Sequence, residues 1–211
     1  MPRASIDHLA VAAPTLEEGV AWVRERLGAE PGPGGRHERM GTHNRLLRLG
    51  EKLYLEVIAI DPAAPSPGRA RWFALDRDAR IGLRSWAART DDIAACGWIG
   101  APERMTRGSL QWTITVTPDG SMPMDGIAPT LLQWPPGVHP AATMPDSGCS
   151  LLWLEGFHPQ AQRIHEMLEG IGFDGPFKVS PAPQPRLVAH IATPAGVRRL
   201  DSGTEAHHGG S

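Results

Sequence analysis

Apolar positions along the chain follow two periods, and the switch between them recurs. "SIDHLAVAAP" alternates as a strand does, with Ile6, His8, Ala10 and Ala12 on one face and Asp7, Leu9 and Val11 on the other. "TLEEGVAWVRERLG" then changes to a helical period, with Leu16, Val20, Val23 and Leu27 on one stripe. Thr15 and Glu18 make a capping box before it, and Gly28 stands where a helix C-terminal glycine belongs. After the loop "AEPGPGG" come three strand-like runs, around 36–40, 44–49 and 53–60, the last two joined by a turn at "LGEK". The order is β-α-β-β-β.

The same order returns more loosely. "LRSWAAR" reads as a strand and "TDDIAACG" as a short helix. "SLQWTITVT" alternates cleanly, Leu110, Trp112, Ile114 and Val116 against Gln111, Thr113, Thr115 and Thr117. "PDGS" is a turn by its chemistry, and "APTLLQWP" closes the set. A third segment opens with "CSLLWLEGF", continues through the helical "HPQAQRIHEMLEGIG" with Pro159 in its first turn, and ends in two or three strands including "RLVAHIATP" and "GVRRL". It has the look of a shortened third copy. The expected fold is α+β: paired βαβββ modules forming curved mixed sheets around a cleft, with an additional C-terminal βαββ segment. The divisions expected are a first module at 1–61, a Pro- and Arg-rich linker at 62–80, a degenerate second module at 81–140, an extension at 141–202 and a disordered tail at 203–211.

Composition narrows the function classes. With 41% hydrophobic and 21% charged residues over 211 positions, the chain is globular. Its longest apolar runs are far too short to span a bilayer, and the N-terminal stretch lacks the apolar core of a signal peptide, so a cytoplasmic protein without membrane partners is expected. A net charge of −2 and the lack of a dense basic block argue against nucleic acid as partner. The excess of arginine over lysine, with 24 Gly and 21 Pro, reads as the bias of a GC-rich bacterial genome. Cys96 and Cys149 have no CxxC spacing and read as apolar fillers. No nucleotide-binding glycine loop, Gly-x-Ser-x-Gly elbow or HExxH helix is present.

"IDHLAVA", the hairpin His37-x-x-x-Gly41-Thr42-x-Asn44 and the strand Tyr54-Leu55-Glu56, followed later by "APTLLQWPPGVHPA", resemble the glyoxalase-like branch of the vicinal oxygen chelate superfamily. The resemblance runs from about Ile6 into the third segment. It implies a pair of βαβββ modules around a shared cleft, with metal ligands, where a member uses metal, taken from the first and fourth strands of each module. The superfamily holds lyases, isomerases, extradiol dioxygenases and thiol transferases, and also metal-free proteins that sequester antibiotics. Fold alone leaves the reaction open.

His8 and Glu56 occupy the positions where the resemblance places the first module's ligands. Glu56 also stands out unaided. Tyr54, Glu56, Ile58 and Ile60 share one face and Leu53, Leu55, Val57 and Ala59 the other, so a carboxylate sits in a strand that is apolar on both sides. Such a group needs a partner: a metal, a proton, or an arginine such as Arg45 or Arg48. In the second module "LRSWAAR" offers no carboxylate or imidazole, and the closing strand offers only Gln133, a weak oxygen donor. The candidate metal set is therefore His8, Glu56 and Gln133, for Zn, Ni, Fe or Mn, with Glu56 also the candidate catalytic base. His37, Asn44, Trp86 and Trp112 are candidate substrate contacts, the tryptophans having core packing as their ordinary role. Two functions are expected from this: a metal-dependent lyase, isomerase or dioxygenase acting on a small oxygen-rich metabolite, or a metal-free small-molecule-binding protein. Paired modules in one chain complete the cleft in a monomer or a homodimer alike.

Overall fold

The computed structural model describes residues 2–78 and 80–202, so the tail expected to be disordered lies outside the described residues. The first module runs β1 (Ala4–Ala12), α1 (Leu16–Leu27), β2 (Arg36–His37), β3 (Thr42–Gly50) and β4 (Leu53–Ile60). The α1 ends follow the sequence: Thr15 Oγ1 accepts from the Glu18 N–H at 3.2 Å, and Gly28 takes the left-handed conformation at φ 67°. The second module comprises β5 (Gly82–Thr90), β6 (Ala101–Arg107), β7 (Leu110–Val116) and β8 (Thr130–Gln133). Its expected helix shrinks to one 3-10 turn at Ala94–Cys96, too short to cover a sheet.

These eight strands form one curved sheet in the order β2-β3-β4-β1-β5-β8-β7-β6. The order is symmetrical. In each module the first strand lies parallel to the fourth, β1 to β4 and β5 to β8, and the two modules meet where β1 runs antiparallel to β5.

The third segment, β9 (Ser150–His158), α2 (Ala161–Gly170), β10 (Phe177–Pro181), β11 (Arg186–Thr193) and β12 (Gly196–Asp201), makes a separate sheet in the order β10-β9-β11-β12. It is not a third copy. Its first strand pairs with its second and third, and not with its fourth as in the modules. Its inner face, with Leu154, Leu187, Ala189 and Ile191, joins α1 in an outer core with Leu9, Val11, Leu55 and Trp86 of the large sheet. The extension thus supplies cover on the face where the second module has no helix.

A second, inner core fills the curl of the large sheet with Ala10, Ala12, Ile58, Ala87, Trp112, Ile114 and Leu132. Trp72 and Phe73 belong to it too. The segment expected as a bare linker thus carries two aromatic side chains into the cleft.

Candidate functional site

The site begins with a correction to β1. Strict alternation puts Asp7 and His8 on opposite faces, but the ladder to β5 slips there: Ile6 pairs with Ala88 and His8 with Ala87, so Asp7 is an extra residue. Ala4 and Ile6 join Leu9 and Val11 in the outer core, while Ala10 and Ala12 lie in the inner one. A bulge of this kind re-aims side chains. Here it lets Asp7 and His8 share one hydrogen bond within the cleft.

Asp7 is fully buried and accepts three donors. His8 Nδ1 lies 2.7 Å from Oδ1, while Trp134 Nε1 and His139 Nε2 lie 2.9 and 3.1 Å from Oδ2. The Ala141 N–H donates to His139 Nδ1, which leaves Nε2–H of that ring for Asp7. Burial alone would raise the Asp7 carboxyl, but the bonds from His139 and His8 outweigh it and hold the group well below the usual carboxylate range.

With Nδ1 committed to Asp7, His8 presents Nε2 to Glu56, 3.6 Å from Oε2. That distance allows electrostatic pairing and exceeds a hydrogen bond. The Glu56 Oε1 atom accepts from Asn44 Nδ2 at 2.5 Å and stands 3.9 Å from His37 Nε2. Neither arginine is its partner: Arg45 is exposed, and Arg48 donates to the Gly50 carbonyl. His37 is fixed by Thr42 Oγ1 at 3.1 Å, and burial lowers its pKa from 6.5 to about 4, leaving it neutral at pH 7. Tyr54 stacks on His8 with ring centroids 4.7 Å apart. Burial, together with the Asp7 and Glu56 carboxylates, pushes its phenol well up.

The preceding loop is shaped around these groups. A side chain at Gly34 would strike the Asn44 carbonyl at 2.1 Å, and one at Gly35 would strike Arg107 Cγ at 2.7 Å. The Gly35 N–H donates to Asn44 Oδ1, which turns the Asn44 amide nitrogen toward Glu56. His8, His37, Tyr54, Glu56, Trp112 and Trp134 line one cavity of about 20 Å³, roughly the space of a single water-sized group. Trp72, Phe73, Arg107, Ile114 and Leu132 complete its wall, with Phe73 held at φ 56°, a strained value for an aromatic residue. Trp112 and Trp134 also border an outer hollow of about 430 Å³.

Of the expected site residues, the structure brings together His8, Glu56, His37, Asn44 and Trp112, leaves Trp86 outside, and puts Gln133 away from the Glu56 cavity, at the border of the outer hollow. Gln133 follows Leu132, whose side chain fills the inner core. Its own amide is used by the loop after β5, accepting from the Ile93 N–H at 3.0 Å and donating to the Asp91 carbonyl at 2.9 Å. Trp86 faces the outer core, where its indole donates to the Ile127 carbonyl and its ring packs on Phe173 and Phe177. His190 pairs with Glu155 in the second sheet.

This donor set does not fit a metal held by the three or four protein ligands that a catalytic ion requires. Only His8 and Glu56 come together as expected, Ala87 and Leu132 are what the second module turns inward, and Arg107 adds a cation to the wall. Among the described residues no group of three His, Cys, Asp or Glu is placed to hold an ion. Asp7, Tyr54, His139 and Arg107 were not legible as site residues from spacing. The Asp7-His8 pair was the one signal available, hidden by the assumption of strict alternation.

A profile of the glyoxalase-like domain family matches residues 6–172. No curated protein matches. Among solved structures, a hypothetical protein from Staphylococcus aureus is similar over 86% of this chain and 87% of its own, at 15% identity and a TM-score of 0.62. A triple mutant of 4-hydroxymandelate synthase from Streptomyces coelicolor is similar over 95% of this chain and 63% of its own, at 16% identity and a TM-score of 0.52. At such identities these likenesses speak for the fold. On the family match, the chain belongs to the glyoxalase-like domain family, within the vicinal oxygen chelate superfamily.

Proposed function

We propose that this protein is an enzyme that moves a proton on a small oxygen-rich metabolite bound in the cleft, with Glu56 as the base. The observation that carries the reading is the environment of Glu56: a carboxylate 6% exposed, lining a cavity, with Asn44 on one oxygen and His8 facing the other. An isolated anion costs several kcal/mol in such a place, so a fold that keeps it there without an arginine partner points to chemistry. Glu56 takes a proton from a carbon next to a carbonyl, and the electron pair moves onto the carbonyl oxygen. Return of the proton to the same carbon, or to a neighbouring position, completes an isomerase-type step. Asn44 holds the carboxylate in place, and His8, oriented by Asp7, accepts or returns the proton.

Deuterium exchange tests this. Protein in D2O is incubated with a panel of 2-oxo and 2-hydroxy acids and their neutral analogues, and loss of the C–H signal is followed by NMR. Exchange with the wild type and none with Glu56→Gln is expected, whereas equal exchange in both, or none in the wild type, sinks the proposal. The rival is a metal-free binding protein using the same cleft, in keeping with the absence, among the described residues, of a group of three His, Cys, Asp or Glu placed to hold an ion. Saturable binding without exchange in that experiment decides for it.

A further inference from the structure

Two donors in the cleft wall have no protein acceptor among the described residues. The Trp72 indole N–H is buried and without an acceptor among the described residues. Arg107, half-buried, lines the same cavity and makes no hydrogen bond or ion pair with a described residue. Asp7, Glu56 and His37 use polar atoms on their neighbours: Asp7 on His8, Trp134 and His139, Glu56 on Asn44, and His37 on Thr42.

A buried donor left without a partner, as the Trp72 N–H is, is rare in folded proteins, since it costs the hydration it has lost. Arg107 is also guided into place. Its stem crosses Gly35 so closely that a Cβ there would lie 2.7 Å from Cγ and 2.9 Å from Cδ, so the lack of a side chain at 35 is what admits the arginine. The nearest ring neighbours of His37 are Trp72 at 5.0 Å and Trp112 at 6.0 Å, which places the indole beside the His37–Glu56 end of the cavity.

We infer that the substrate carries a carboxylate, and that Arg107 and Trp72 are the groups that hold it. A guanidinium fork matches the two oxygens of a carboxylate, and an indole N–H adds a third donor. The cavity has room for about one carboxylate oxygen, and the rest of the molecule lies past Trp112 and Trp134 in the outer hollow. Arg107 is thus a specificity residue. It selects acids over their neutral analogues and sets the reacting carbon beside Glu56. The inference rests on the proton-transfer reading for the reaction, but the binding step is independent of it.

The test is a titration of intrinsic tryptophan fluorescence with pyruvate and lactate, set against pyruvamide and lactamide. Saturable binding of the acids is expected, with the amides weaker by about tenfold or more and Arg107→Met weakening the acids by a similar factor. Arg107→Lys, which keeps the charge and loses the fork, should bind between the two, and its melting profile guards against a folding artefact. Equal binding of acids and amides, unchanged binding in a folded Arg107→Met, or no saturable binding of either acid overturns the inference. Glu56→Gln separates the two readings. If it and the wild type bind acids through Arg107 but neither exchanges deuterium, the carboxylate site stands and proton transfer falls. Exchange that is indifferent to Arg107 and to the carboxylate has the opposite meaning.

Discussion

Asp7 and His8 are consecutive in β1, yet they meet in the cleft with Nδ1 2.7 Å from Oδ1, because the strand carries an extra residue opposite Ala87. The bulge does what no regular strand can: it places a buried anion directly behind a histidine and so determines which ring nitrogen faces Glu56. Asp7→Asn keeps the shape but loses the charge and permits the wrong tautomer. It should cut the deuterium exchange rate by about 100-fold while leaving the fold intact. Asp7→Ala strands two imidazoles and an indole N–H, and should cost about 3–5 kcal/mol in urea denaturation. An Asp7→Asn protein that exchanges as fast as wild type removes Asp7 from the catalytic array.

Much of the fold could be read from the sequence because its periods are undisturbed where the sheet is regular. The Leu53–Ile60 strand, the Thr15 cap and the alternation from Leu110 to Val116 all appear as expected. What escaped depends on contacts distant in sequence. Gln133 looked like the best second-module donor, but the loop carrying Asp91 and Ile93 takes up its amide, 40 residues earlier in the chain. His139 caps a turn through Nδ1, while its other nitrogen reaches Asp7 across 132 positions, a contact that no local pattern records. Arg107 showed no signal at all, since its role depends on a missing side chain at Gly35.

His37 should leave a mark on the pH dependence of stability. Burial lowers its pKa from 6.5 to about 4, so the unfolded chain takes up a proton that the folded protein refuses. Above about pH 6.5 both states are neutral at this ring and it costs nothing. Stability then falls as the pH drops toward 4 and the loss levels off below, a total of ~3 kcal/mol. Asp7 acts in a different window, since its contribution is lost only below the ordinary 3.8 of its carboxyl. Urea midpoints for wild type and His37→Gln, taken between about pH 7.5 and 4.5, should converge at the acid end as the wild type loses more. Parallel curves would rule out a neutral buried His37.

Trp86 separates core from cleft. Its side chain is 0% exposed, and its indole donates to the Ile127 carbonyl at 2.9 Å in the outer core. Trp86→Phe removes ring volume and orphans that carbonyl, at a cost of about 2–4 kcal/mol in chemical denaturation, while carboxylate binding stays unchanged. Trp112→Phe should behave in the opposite sense, altering binding more than stability, because Trp112 borders both the cavity and the outer hollow. A Trp86 variant of normal stability and weakened binding would return that residue to the site.

Metal supplementation tests the donor set directly. A divalent ion bound to the folded protein alone, at 100 times its dissociation constant, stabilises it by about 2.7 kcal/mol. For a domain of this size that is a rise in Tm of roughly 5–10 °C. With His8 and Glu56 facing each other, Gln133 bound elsewhere and Arg107 in the wall, no such rise is expected with Zn, Ni, Mn or Fe(II). The protein should be purified without chelator or histidine tag, and melted alongside His8→Ala and Gln133→Ala. A rise of several degrees that disappears in His8→Ala and survives in Gln133→Ala would show that His8 and Glu56 hold an ion with donors other than the expected third, and the metal-free account of Glu56 would then give way.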